Sequence, residues 1–449
     1  MYFSWNETKQ TLKLAIPIIL GQLGNILMQA VDTAMIGRID QGAVLGLAAA
    51  AFAGNLCNFL LILGIGASTA LHVLVSQAAG SKVKQKEKKP LLVHGMWFVF
   101  VYGLALALLL TLKPELLGLL HQPEEVVVAA KTYTIYLIWS NLFALLFMCL
   151  KSYSEASQRP WEPLTILLSC IGVNGFLNWI FIFGHFGFDA MGLPGAGLAT
   201  LIARVITIIA LWIFMENVPQ LRLKLGLGSF FSLSWDYFKR ILSIGIPSSL
   251  QLLFEWGSFI IVTFMMGQFG ATALAAHQIV QTVGGFMFMV PLGLTFAITI
   301  RTSEAYGQGN VIKAARIGSS GIIFAASLMT SIGLSLLFMR YQIPKLFVNT
   351  LDPANFDMIQ LVVKFFMVIA VFQLFDSTQA TTIGTLRGLN DIKIPMVFAF
   401  IGYILVGLPT SYILAFTCGF QGIGLWIGEA IGLGVTSILL ILRFRFVIR

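Results

Sequence analysis

Three acidic residues stand inside long apolar runs of this 449-residue chain: Asp32, Glu255 and Asp376. A carboxylate at the centre of a bilayer costs about 2.5–3.5 kcal/mol on insertion scales, so it persists where it faces a cavity or a partner. Glu255 and Asp376 each lie roughly 17 residues into their runs, which at about 1.5 Å per residue puts both near mid-membrane, approached from opposite sides. Two carboxylates in a poorly solvated pocket cannot both be ionised cheaply unless a cation sits between them. The chemistry open to such a pair is reversible cation binding. A proton or a sodium ion neutralises the acids, and a bulky organic cation competes for the same charge or for the conformation it favours.

Weaker candidates surround these three. Glu429 lies nearer the outer end of the last apolar run and is read as a possible further acid of the site. Asn174 and Asn178 are one helical turn apart; their amides serve either as ligands or as glue between helices, and the residues alone favour glue. His277 is read either as a proton shuttle or as a packed, hydrogen-bonded histidine. Aromatic residues, 12% of the chain, first supply interfacial belts and packing, although flat hydrophobic cations would also bind to them. Pro17, Pro247, Pro291 and Pro409 each free backbone groups and permit bends.

The elements that position these residues follow from composition. The chain is 58% hydrophobic and 10% charged, with a mean hydropathy of +0.89, whereas a soluble domain carries roughly a quarter charged residues. Continuous apolar runs exclude the alternating pattern of a barrel, and lipid leaves no backbone group unsatisfied, so the runs are predicted to be membrane-spanning helices. Twelve are expected, at 10–36, 43–71, 91–112, 130–156, 162–185, 194–216, 238–266, 272–299, 315–339, 359–386, 394–416 and 422–442. The first contains Gln22, Asn25, Gln29 and Asp32, unlike a removable signal peptide, and is expected to remain in the mature protein.

Lysine and arginine concentrate in the even-numbered loops, which are assigned Lys82, Lys84, Lys86, Lys151, Arg222, Lys224, Arg301 and Arg387 among others. Arg443, Arg445 and Arg449 lie in the tail. Positive charge favours the cytoplasmic face, so both termini are expected inside, with the protein in a plasma membrane, by expectation a bacterial inner membrane. The net charge of +9 is thereby read as a topology signal and not as a nucleic-acid surface. Cys57, Cys149, Cys170 and Cys418 show no CxxC spacing and suggest neither a disulfide framework nor zinc.

The chain also repeats itself. Ile16-Pro17 and Gly37 return as Ile246-Pro247 and Gly267. Ser76-Gln77-Ala78-Ala79-Gly80 pairs with Ser303-Glu304-Ala305-Tyr306-Gly307, and Gly195-Ala196-Gly197-Leu198 with Gly422-Ile423-Gly424-Leu425. The fold expected is an all-α polytopic membrane protein of two six-helix bundles related by a pseudo-twofold axis along the membrane normal. The lobes are placed at 1–217 and 238–449, joined by a cytoplasmic linker at 218–237. Glu255 aligns with Asn25 and Asp32 with Val262, so the acids are distributed asymmetrically.

With these features together, the chain resembles the multidrug and toxic compound extrusion (MATE) family, most of all its NorM-like branch. The resemblance covers essentially the whole chain. It rests on Ala30-Val31-Asp32-Thr33 and Gly37, Phe254-Glu255, Ala275-Ala276-His277-Gln278, and Asp376 followed by Gly384-Thr385-Leu386-Arg387-Gly388. It implies a V-shaped pair of bundles that alternates between outward and inward openings and expels cationic or amphipathic drugs and dyes against Na+ or H+. It assigns cation coupling, with Na+ as a candidate ligand, to Glu255 and Asp376, and in the first half to Asp32 with Asn174, Asn178 and Thr200 around it. The family pattern has a tyrosine four residues before the second-half aspartate, where this chain has Phe372. A possible hydroxyl ligand is therefore absent, and the coupling ion stays open between Na+ and H+.

Two other classes compete with this reading. A lipid-linked oligosaccharide or polysaccharide flippase of the same superfamily would be expected to line its cleft with Arg and Lys, whereas Arg204 is the one basic residue placed well inside a span. A membrane enzyme would need a catalytic motif, and HExxH, GxSxG and paired-aspartate patterns are missing. No enzymatic activity and no cofactor beyond the coupling ion are expected, and the protein is expected to act as a monomer.

Overall fold

The computed structural model describes residues 3–39, 43–120, 123–219, 221, 230, 232–348 and 355–448. Among these residues, twelve helices are long and apolar enough to cross a membrane. They are α1 (Trp5–Ile36), α2 (Ala43–Gly80), α3 (Lys88–Leu112), α4 (Glu124–Ala156), α5 (Trp161–Phe183) and α6 (Leu193–Asn217), then α7 (Trp235–Gly267), α8 (Ala271–Gly307), α9 (Val311–Met339), α10 (Phe356–Gly388), α11 (Lys393–Thr417) and α12 (Gln421–Val447). Every expected span is present. Several run longer than hydropathy alone marks, because polar motifs continue the helix: Ser76 to Gly80 forms the last turns of α2, and Ser303 to Gly307 those of α8.

Many of the basic residues expected in loops are instead helical, Lys88 and Lys89 at the start of α3, Lys239 and Arg240 in α7, and Lys313 and Arg316 in α9 among them. Lys151 lies in α4, Arg301 in α8 and Arg387 in α10, each in a helix that outlasts its apolar run. Partners explain their tolerance. Lys151 Nζ is 3.7 Å from Glu155, which also meets His72 Nε2 at 2.8 Å. Arg301, buried, donates to Glu7 at 2.5 Å, Gln10 at 2.6 Å and Thr11 at 2.7 Å. Half of the expected linker at 218–237 lies outside the described residues, Arg222 and Lys224 included, as does Arg449, and its last residues from Trp235 already belong to α7.

The chain forms two compact units: Leu20–Ser249, and Met1–Ile19 together with Leu250–Arg449. Both α1 and α7 therefore contribute to each unit. In the first unit α4 packs against α2, α3 and α6, and α5 against α6, around a core that includes Ile36, Cys57, Leu110, Tyr133 and Ile138. The turn from α5 to α6 is fixed locally. Gly184 ends α5 at φ +75°, where a Cβ would strike the backbone of Ala190, and Met191 N–H donates to the Phe181 carbonyl at 2.9 Å. Gly195 lies directly on Phe181, leaving no room for a side chain. This sets the antiparallel register of α5 against α6.

In the second unit α10 is central, packed by α8, α9 and α12. A core of Val262, Met266, Phe365, Phe366 and Trp426 holds α7, α10 and α12 together. The first half of α1 joins this unit through Leu14, Ala15 and Ile18, packed with Leu294, Ala297 and Ala325. α11 is irregular: its backbone is π-helical over Phe400–Gly407, α-helical over Leu408–Tyr412 and π-helical again over Ile413–Thr417. Pro409 lacks the N–H that would bond the carbonyl four residues back, which opens the ladder at this point. Gly402 and Gly407 meet Gly432 backbone to backbone, so α11 and α12 approach closely despite the distortion.

The Arg301 cluster generates a test of this packing. Removing one partner of a buried ion pair leaves the other uncompensated, a loss of about 3–5 kcal/mol. Arg301→Ala is expected to lower the thermal unfolding midpoint of the detergent-purified protein by several degrees, with Arg301→Lys intermediate. A midpoint equal to that of the parent chain would show that the cluster is not stabilising.

Candidate functional site

Among the described residues, each unit gathers polar groups around the acids that the sequence singles out, apart from the Glu155 and Glu7 ion pairs. In the first unit, α1 carries Asp32, α5 carries Asn174 and Asn178, and α6 carries Thr200 and Arg204. The α5/α6 register brings Asn178 opposite Thr200, with the Asp32 carboxylate between them. Asn178 Nδ2 donates to Asp32 Oδ1 at 2.6 Å, and Thr200 Oγ1 to Oδ2 at 3.4 Å. Asn178 Nδ2 also reaches Asn174 Oδ1 at 3.4 Å. Both asparagines are fully buried, yet Asn178 Oδ1 and Asn174 Nδ2 have no hydrogen-bond partner. An unsatisfied buried amide atom costs about 1–3 kcal/mol, so packing between helices alone does not account for this arrangement. Asp32 itself is half-buried and accessible.

Arg204 lies within electrostatic reach of Asp32 without bonding to it. Its Nη1 donates to Asn141 Oδ1 at 2.6 Å and Ser140 Oγ at 3.0 Å, both on α4. Asn141 is held in turn by the Cys57 carbonyl on α2 at 3.3 Å. Sequence inspection marks Arg204 as an isolated basic residue but not its cradle, since Ser140 and Asn141 lie more than 60 positions away.

In the second unit, Glu255 on α7, Asp376 on α10 and Glu429 on α12 are buried, and Glu255 lies within electrostatic reach of both other acids. Ser258 Oγ sits 2.9 Å from the Glu255 carbonyl and 3.3 Å from Glu429 Oε2, linking α7 to α12. Glu429 Oε1 has no partner. On α10, Gln373, Asp376 and Gln379 are spaced by three residues and share a face. Gln379 Oε1 accepts from Tyr403 of α11 at 2.6 Å, while Gln373 Oε1, also buried, is unpartnered. Phe372 packs beside Tyr403 and against the rings of Phe259 and Trp426.

A further guanidinium enters this unit unexpectedly. Arg387, one helical face with Asp376, donates to Gln251 Oε1 at 2.9 Å and lies within electrostatic reach of Glu255. Arg204 is therefore not alone among basic residues inside the spans. His277 joins a different group: its Nε2 is 3.0 Å from Thr263 Oγ1, which accepts from Gln281 at 3.3 Å, and its ring packs on Trp426.

Among the described residues, no three His, Cys, Asp or Glu side chains converge on a metal-sized point. The oxygens around Glu255 and Asp376 are instead two carboxylates with amide and hydroxyl neighbours, a hard, all-oxygen donor set. Tyr403, Gln379, Ser258 and Gln251 are absent from the residues singled out by sequence. The three-residue spacing of Gln373, Asp376 and Gln379 is a signal that could have found the glutamines; nothing local marks Tyr403.

Comparison with known proteins gives the context. The MatE family model matches residues 17–180 and 247–413, beginning at Pro17 and again at Pro247, the two prolines of the internal repeat. The chain is 34% identical to the probable multidrug resistance protein NorM of Mesorhizobium japonicum, with 98% of this chain and 93% of that one covered. It is 35% identical to the protein of the same description from Rhodopseudomonas palustris, covering 98% and 92%. Among solved structures, the Vibrio cholerae MATE transporter VcmN in its bent form superposes with a TM-score of 0.87 at 19% identity over 99% of this chain and 97% of that one. The eukaryotic MATE transporter AtDTX14 does so with a TM-score of 0.83 at 23% identity over 98% and 95%. Twelve apolar helices on this fold, a repeat that the family model matches in both halves, and relatives above 30% identity along nearly the whole length identify the chain as a multi-pass membrane protein of the MATE family, NorM-like.

Proposed function

We propose that this protein is a secondary active multidrug exporter that moves organic cations and amphipathic drugs outward by alternating access, in exchange for inward Na+ or H+. The observation that carries the reading is the placement of acids in each unit: Asp32 among neutral donors in one, and Glu255 with Asp376 and Glu429 in the other. Near relatives described as probable multidrug resistance proteins support it. Charge compensation supplies the coupling. An acid that has taken a proton or Na+ has no net charge to offer a cationic drug, and an acid that holds the drug has none to offer the ion. Each elementary charge that moves inward across 100 mV contributes about 2.3 kcal/mol of driving force. The positive loops support cytoplasmic termini in a plasma membrane, and the fit of the acids within single chains supports a monomeric exporter.

Coupling in the second unit is assigned to Glu255 and Asp376, with Glu429 beside them and with Tyr403 supplying, through Gln379, the hydroxyl that Phe372 lacks. In the first unit Asp32 binds the cation, with Asn174, Asn178 and Thr200 as its neutral partners. His277 acts through Thr263 and Gln281, away from the carboxylates, as a packing and hydrogen-bonding residue.

Dye efflux from everted or intact vesicles under imposed gradients tests the reading directly: efflux should accelerate with an inward Na+ or H+ gradient, and indifference to both would rule out coupled antiport. Glu255→Gln and Asp376→Asn should each reduce gradient-driven efflux by more than tenfold, and normal transport by both variants would overturn the site assignment. Tyr403→Phe leaves Gln379 Oε1 unpaired, worth about 1–3 kcal/mol, and is expected to weaken apparent affinity for the coupling ion severalfold at unchanged expression. Restoration of that affinity in the double variant Phe372→Tyr with Tyr403→Phe would show that a hydroxyl in this neighbourhood is what matters.

A further inference from the structure

Arg387 is a buried charge answered by a single neutral group. Among the described residues its one hydrogen bond runs from Nη2 to Gln251 Oε1 at 2.9 Å, it makes no ion pair, and its Nε is buried without a partner. Arg301, also buried, shows what a guanidinium at rest in this fold collects: the Glu7 carboxylate, Gln10 and Thr11. The backbone of Arg387 is held in place. Gly384 lies on Thr295 and Gly388 on Thr302 of α8 with no room for a Cβ, and Thr299 Oγ1 donates to the Gly384 carbonyl at 3.0 Å. Movement is therefore left to the side chain. Within its electrostatic reach stands Glu255, four residues from Gln251 on α7, and residues at that spacing are neighbours on one helix face about 5–6 Å apart. Gln251, Glu255 and Arg387 all belong to the second unit.

Two stations one helical turn apart are thus open to one guanidinium. Seated on Gln251, it leaves the Glu255 carboxylate to a coupling ion; shifted by a turn, it meets that carboxylate with its planar fork, the open Nε included. An arginine with a purely structural task gains nothing from the neutral station, since a buried guanidinium is best compensated by the acid at all times. Both stations serve a site that must be neutral with its ion and without it. We propose that Arg387 is a tethered counter-cation of Glu255, resting on Gln251 while the coupling ion occupies the acid and pairing with the acid once the ion has left. This rests on Glu255 as a coupling acid of the second unit. The ion then enters by displacing a guanidinium, and the half-cycle without the ion leaves no bare carboxylate inside the membrane.

The test reads the half-saturating ion concentration and the maximal rate of dye efflux from proteoliposomes, in NaCl titrations at fixed pH and in pH titrations without sodium. For the ion that drives the parent chain, Arg387→Gln should lower the half-saturating concentration about tenfold or more, because no charged competitor remains to be displaced. Its maximal rate should fall as well, because the ion-free half-cycle now carries a bare acid. Arg387→Lys, which keeps the charge and loses the fork, should lie between this variant and the parent. Gln251→Leu removes the neutral station, holds the guanidinium on Glu255 and should raise the half-saturating concentration severalfold. An unchanged value in Arg387→Gln, or shifts of the same sign in Arg387→Gln and Gln251→Leu, would overturn the counter-cation. Thermal unfolding in sodium-free alkaline buffer checks the pair without transport: Glu255→Gln should lower the midpoint, and adding Arg387→Gln should recover part of the loss, whereas additive losses would overturn the pairing. Efflux by the parent chain that is indifferent to both ions would instead overturn the coupling reading on which the pair rests.

Discussion

Desolvation of charge is the constraint on which both units depend. Hydrocarbon supplies no hydrogen bonds, so each ionisable side chain that leaves a loop must find protein groups in place of its water. The structure meets this in two ways. Arg301 is bonded by Glu7, Gln10 and Thr11, and Glu155 by His72 and Lys151, so these charges meet opposite charges or strong acceptors. Asp32, Glu429 and Arg204 are only partly served, with neighbouring amide, carboxylate or guanidinium atoms left open.

The close helix contacts follow from the same constraint. An acid can be compensated by a side chain on another helix only if backbones approach within a few ångströms, and glycines make that approach possible. Gly195 against Phe181 fixes the α5/α6 register that puts Asn178 and Thr200 on the two oxygens of Asp32. Gly402 and Gly407 against Gly432 draw α11 onto α12, and the π-helical stretch between them carries Tyr403 to Gln379. π-helical turns are often retained at functional positions because they redirect a side chain at a cost in helix stability. Here the redirected side chain is the hydroxyl that stands near the acids in a chain where position 372 has none.

Repetition of the sequence did not produce repetition of the chemistry. Pro17 and Pro247 open equivalent helices, yet the acid stands at 32 in one and at 255 in the other, so the first unit has a single carboxylate with amide partners and the second a group of three. A basic residue accompanies each, Arg204 held by α4 and Arg387 held by Gln251 of α7. Sequence periodicity exposed the asymmetry of the acids but missed the symmetry of the arginines, because Arg387 follows its apolar run and reads as a loop charge.

The twelve spans, their order, the repeat and the identity of the acids were legible in the sequence, because hydrophobic length and the rarity of intramembrane charge are local properties written residue by residue. Asp32 with Asn178 and Thr200 was reachable only through resemblance, since 146 and 168 positions separate the partners. Tyr403 beside Gln379, the Ser258 link from Glu255 to Glu429 and the cradle of Arg204 were decided by tertiary packing alone. The partners of Ser258 and Arg204 lie on helices far apart in the chain, Tyr403 and Gln379 on consecutive ones, and which amide atoms remain open depends on rotamers and registers that no stretch of sequence encodes by itself.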